Sequence, residues 1–146
     1  MSCMGFTSPQ QRAALAASSR EDAGGAPLSA FTSPPASDGK ERRVRALAAS
    51  GSPAIRESAA LAYHAPVDVL LTLAGDEAST VRRCVARNEH TPEPVLRSLA
   101  ADDDPLVRGW VAANPAVPND LLDTLASDDD PKVRAVVLWA RGWQRR

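Results

Sequence analysis

Four arginines recur at a single spacing: Arg56, Arg82, Arg108 and Arg134, each 26 residues after the last. Each follows a β-branched residue (Ile55, Val81, Val107, Val133). A guanidinium makes bidentate contacts with phosphate or carboxylate better than any other side chain. One such group per layer of a stacked array could track the phosphates of a nucleic acid. Acids stand at a matching spacing, however, at Asp76, Asp102 and Asp128. Pairing between arginines and these acids, within a unit or with a neighbouring one, is the structural reading. A stripe with interleaved acids carries little net potential.

Other chemistry-bearing residues read the same way. The runs Asp102-Asp103-Asp104-Pro105 and Asp128-Asp129-Asp130-Pro131 lack the alternating ligands, turn glycine and closing glutamate of a calcium loop. They suit helix N-capping and favourable charge at a helix N-terminus. His64 and His90 share a column of the repeat. Zinc–nitrogen bonds of about 2 Å would need converging rings, whereas stacked helices sit about 8–10 Å apart. Both are read as turn residues. Cys84 shares a column with Ser58, Trp110 and Val136, which makes it a half-buried packing residue. No nucleophile elbow, phosphate-binding glycine loop or paired catalytic carboxylates are visible. No catalytic, cofactor or metal residue is assigned, and an enzyme is not expected.

The positioning elements come from the same period. Leu47, Leu73, Leu99 and Leu125 each begin a unit and each precedes an alanine. Periods of 20 to 50 residues mark stacked repeats in which neighbours bury one continuous core. Each unit reads as two short helices. In the third, Asp104 caps a helix, Pro105 takes its first position, and Val107, Trp110 and Val111 share a face. Asn114-Pro115 should end it, with asparagine in the left-handed conformation and proline unable to continue. Pro118 opens the next helix, whose Leu121, Leu122 and Leu125 share a face. Period-two alternation is absent, so no strands are expected.

Residues 1–40 carry the runs Gly24-Gly25-Ala26-Pro27 and Thr32-Ser33-Pro34-Pro35 and no apolar periodicity, the pattern of a disordered tail. A short helix over 9–18, capped by Ser8, is the exception. The repeat register begins at Glu41, with a lone helix leading into Leu47, and residues 41–146 form the repeat domain. Net charge is −1, so no global field recruits nucleic acid or an anionic membrane. Two cysteines, Cys3 and Cys84, are too few for a disulfide framework and suit a reducing compartment. No secretory signal or apolar span of about 18 residues is seen, so the expected location is cytoplasmic.

The string from Leu99 to Leu125, with its Asp-Asp-Asp-Pro-Leu-Val-Arg and Asn-Pro-Ala-Val-Pro segments, resembles the leucine-rich repeat variant family. The resemblance covers about residues 41–146. It implies an all-α, right-handed helical-repeat solenoid akin to HEAT and armadillo arrays, with about three and a half to four 26-residue units of short α and 3₁₀ helices. It also implies a binding or adaptor role. The first unit departs from the pattern with Ser50-Gly51-Ser52 and Ala62-Tyr63, and the last with Trp139-Ala140-Arg141-Gly142-Trp143.

Function should then sit where units differ. Columns without a repeated apolar residue hold Thr80, Arg83 and Arg87, then Leu106, Gly109 and Ala113, then Lys132, Ala135 and Trp139. Tryptophan and arginine are enriched at interface hot spots. Arg83, Arg87, Trp110 and Trp139 are therefore the expected partner-binding residues of a non-enzymatic protein scaffold. The alternative is a nucleic-acid-binding module using the arginine column and the basic end Arg141, Arg145 and Arg146. Residues 41–146 hold 14 bases against 15 acids, which favours the protein partner. Self-association through the C-terminal end, by Trp139 and Trp143, is a third expectation.

Overall fold

The computed structural model describes residues 37–144, with side-chain burial over 37–142. Within them run eight α-helices and no strand: α1 Asp38–Ala48, α2 Pro53–Ala60, α3 Val67–Ala74, α4 Ser79–Arg87, α5 Glu93–Leu99, α6 Pro105–Ala113, α7 Asn119–Leu125 and α8 Pro131–Gln144. The tail expected over 1–40 lies outside the described residues except for its last four. Helix α1 begins at Asp38, three residues ahead of Glu41, with the Ser37 hydroxyl accepting the Lys40 N–H at 3.4 Å. The expected helix over 9–18 lies outside the described residues.

Proline and aspartate place the helix starts. Pro53, Pro105 and Pro131 occupy the first position of α2, α6 and α8, where a missing N–H costs nothing. Asp104 Oδ1 accepts the Leu106 N–H at 2.8 Å, and Asp130 Oδ1 accepts the Lys132 N–H at 2.7 Å. Pro66, Pro92 and Pro118 hold extended backbone ahead of α3, α5 and α7. The carbonyl of Pro66 accepts from both Val69 and Leu70, at 3.0 and 3.1 Å. This shared acceptor tightens the first turn, but the helices continue as α. The 3₁₀ helices implied by the resemblance do not occur among the described residues.

Two helix ends depart from expectation. Asn88 and Asn114 stop α4 and α6 in extended conformation, with ψ of 122° and 130°, not in the left-handed region. Their side chains have another use, described below. In the last unit that column holds Ala140, followed by Arg141 where Pro115 stands in the unit before. With both stop signals gone, α8 runs on for 14 residues.

The helices pack in two rows. Helices α2, α4, α6 and α8 lie side by side, α1, α3 and α5 pack in succession behind them, and α7 packs against α6 and α8. The core lies between the rows: Leu70, Leu73, Leu96, Leu99 and Leu122 face Val81, Val85, Val107, Val111, Val133 and Val137. Leu125 is buried as fully as Leu99, at 2% exposure each, because α8 covers it. A weaker contribution from Leu125, which its place in the last unit suggests, is therefore not expected. Ile55 is 42% exposed, while Val81, Val107 and Val133 of its column are buried. Burial of Val133 in the last helix shows that the column faces the preceding unit, and Ile55 has only the lone helix α1 on that side.

Candidate protein-binding face

Two polar ladders fix the rotation of each helix in the front row and so decide what it shows to solvent. The first is the arginine column. Arg82 donates from Nε and Nη2 to Asp102 at 2.6 and 3.0 Å, and from Nη1 to the Asp76 carbonyl at 2.7 Å. Arg56 does the same with Asp76 and the Ser50 carbonyl, and Arg108 with Asp128 and the Asp102 carbonyl. Each aspartate also accepts a backbone N–H from two residues on (Ala78, Asp104, Asp130) at 2.9 Å. Arg56, Arg82 and Arg108 thus each clamp the turn before their own helix to the turn before the next.

The electrostatics follow the geometry. The Arg56 hydrogen bond holds Asp76 below its ordinary pKa, as the Arg108 hydrogen bond does for Asp128. Burial pushes Asp102 upward, but the Arg82 hydrogen bond, the Asp104 N–H and the flanking guanidiniums together bring it below the ordinary value. Hydrogen bonding to the same carboxylates raises Arg56, Arg82 and Arg108. Three of the four column arginines are therefore ion-paired and turned into the stack. They are not disposed to meet phosphates. Arg134 closes the series on the Asp128 and Asp129 carbonyls. At the basic end, Arg141 pairs with Asp123, and Arg145 and Arg146 lie outside the described residues.

The second ladder, at the opposite ends of the same helices, went unread in the sequence. Asn114 Nδ2 donates to the Ala86 and Asn88 carbonyls at 2.7 and 2.9 Å, and its Oδ1 accepts the Ala116 N–H at 2.8 Å. Asn88 repeats this with Ala60, Ala62 and His90. Each buried amide joins three backbone groups across two units. The signal was present as asparagine recurring after 26 residues. A local cap offered a sufficient explanation, so its reach into the preceding unit was hidden.

With the helices so rotated, the four expected partner residues come together on the outer face of the front row. Arg87 lies over the Trp110 ring, with Cζ 5.3 Å from the ring centroid. Arg83, Arg87 and Trp110 line a shallow groove of about 230 Å³ with Glu57, Thr80 and Cys84. On the far side of Trp110, a groove of about 380 Å³ runs between α6 and α8 to Trp139, past Leu106, Gly109 and Val136. Trp110 is thus the wall common to both. It is 41% exposed and Trp139 57%. The Nε of Arg83 is shut off from solvent with no hydrogen-bond partner among the described residues.

The remaining candidates take structural places. Tyr63 stands in edge contact with both His64 and His90, with ring centroids 4.8 and 4.6 Å away. Cys84 is half-buried against the core, and burial followed by the Glu57 charge pushes its thiol above the ordinary pKa. That is the opposite of what activates a nucleophilic thiol. No helix among the described residues is long and apolar enough to cross a membrane.

The fold and its ladders define an all-helical repeat protein. Residues 80–138 match the family model of the Leucine Rich Repeat Variant domain. The match runs from the start of α4 into α8 and so leaves out the first unit, where the motif departs most. No curated protein and no solved structure matches the chain.

Proposed function

We propose that the protein is a non-enzymatic scaffold that binds another protein through the outer face of α2, α4, α6 and α8. The array is read as a right-handed, HEAT- or armadillo-like solenoid of 26-residue units acting in the cytoplasm, where the Cys84 thiol stays reduced. One observation carries the reading: Arg83, Arg87, Trp110 and Trp139 line two adjoining grooves that share the Trp110 indole. Hot spots cluster in this way around large aromatic and arginine side chains. The nucleic-acid reading loses its main support with the pairing of Arg56, Arg82 and Arg108 to aspartates.

The test is affinity capture from the native host with the wild-type chain and the quadruple variant Arg83→Ala, Arg87→Ala, Trp110→Ala, Trp139→Ala. A protein held by the first and lost by the folded second is expected. Identical captures would remove the proposal. Self-association is the second reading, because Leu138 and Trp139 at the α8 end are 72% and 57% exposed. Sedimentation over a range of concentrations decides it, and a purely monomeric chain would exclude it.

A further inference from the structure

Resting on that reading, we propose that the face recognises a short extended segment of a partner protein in which a carboxylate side chain lies two residues from a bulky apolar one. The two grooves differ in chemistry and meet at Trp110. The α2–α4 groove presents two guanidiniums, Arg83 and Arg87, against the single carboxylate of Glu57. Neither arginine has a carboxylate within ion-pair distance among the described residues, in contrast to the ladder arginines a few ångströms of backbone away. An incoming carboxylate therefore meets groove-lining guanidiniums that no carboxylate of the described residues competes for, the pairing that gives charge-assisted hydrogen bonds.

Arg87 already lies over the Trp110 ring, so less side-chain freedom is lost when it binds. Lys132, on the rim of the second groove, adds another positive group. Charge complementarity therefore selects an acidic segment over a basic or neutral one.

The second groove is lined almost wholly by apolar atoms, with Leu106, Val136 and the two tryptophans as walls. Gly109 lines it, and a Cβ there would meet nothing within 4 Å, so a larger side chain at this position would occupy groove space. In an extended peptide, residues two apart lie on one side about 7 Å apart, which allows an acid and an apolar side chain to straddle the Trp110 ring.

The experiment is selection of random short peptides displayed on phage against the full chain, followed by titration of the enriched peptides against folded variants. The expected sequences carry Asp or Glu two residues from Leu, Ile, Phe or Trp. Their affinity should fall about tenfold or more with Arg83→Gln/Arg87→Gln. It should fall equally with Gly109→Leu, which fills the groove while melting no lower than the wild type. That last variant keeps the test decisive if the arginine variant unfolds. Enriched peptides without acids, peptides indifferent to the arginine change, or no enrichment at all would overturn the acidic-segment proposal. So would displacement of the peptides by a single-stranded RNA oligonucleotide at physiological salt. If Trp110→Ala/Trp139→Ala still abolishes binding, the protein-binding face survives without its acidic ligand. Peptides indifferent to every variant would remove both.

Discussion

Arg82 grips Asp102 with two parallel hydrogen bonds across 20 residues of chain, and with its third nitrogen holds the carbonyl of Asp76. One side chain thereby sets the distance between two successive inter-helix turns. The same geometry recurs at Arg56 and Arg108, so the spacing between units is fixed by hydrogen bonds as well as by the leucine and valine core. The rotation that results brings Arg83 and Arg87, one and five residues further on, to the outside.

Removing one partner leaves the other charge buried and unpaired. Asp128 is 7% exposed and Arg108 17%, so Arg108→Ala is expected to cost about 3–5 kcal/mol. Arg108→Lys should recover little of this, since an ammonium cannot form two parallel bonds. Urea unfolding followed by circular dichroism measures both. A loss typical of a surface pair, about 0–1 kcal/mol, would mean that the ladder is decorative.

Acid should unfold the array in a defined window. Asp76, Asp102 and Asp128 have folded pKa values below the ordinary 3.8. Their contribution to stability is thus complete above that value and is lost as pH falls through the folded values. Stability should hold from neutral pH down to about pH 5 and then fall steeply below about pH 4. Asp102→Asn, which cannot take up the proton, should be weaker at neutral pH and show a shallower acid slope. An unaltered slope would show that other groups govern the acid transition.

Asn114→Ala removes both donors to the Ala86 and Asn88 carbonyls and the acceptor for Ala116. With at least one buried carbonyl left unpaired, a loss of about 2–4 kcal/mol is expected. Amide hydrogen exchange should quicken at Ala116 in particular. Unchanged exchange there would show that the amide is not held by Asn114.

Leu99→Ala and Leu125→Ala should cost alike, about 2–5 kcal/mol each, since both leucines are 2% exposed. Thermal melts of the two variants make the comparison. A clearly milder Leu125→Ala would mean that α8 does not cover the last unit as described.

Part of this architecture was legible because its causes are local. Prolines at 53, 66, 92, 105, 118 and 131, the capping Asp104 and the leucine register act within a few residues, and the helices start where they direct. Arg83, Arg87, Trp110 and Trp139 also stood out, as departures from columns that stacking explains. Their grouping into two grooves was not. The contact of Arg87 with Trp110 joins helices of neighbouring units, and it depends on how far each unit turns relative to the last. Asn88 and Asn114 show the same limit, since a local left-handed cap and a bond to a carbonyl 26 or 28 residues upstream read identically in sequence.

The sequence by itself therefore determined the period, the all-helical class, the helix starts and the residues that break the repeat. Tertiary structure decided that Arg56, Arg82 and Arg108 reach forward to the next unit's aspartates, that the asparagines reach back to the previous unit, and that Trp110 divides an apolar groove from a cationic one. The physical reason is range. Backbone preferences and caps are set by neighbours in the chain. The offset between units is a sum of many packing contacts and polar bonds that exists only once the units are stacked.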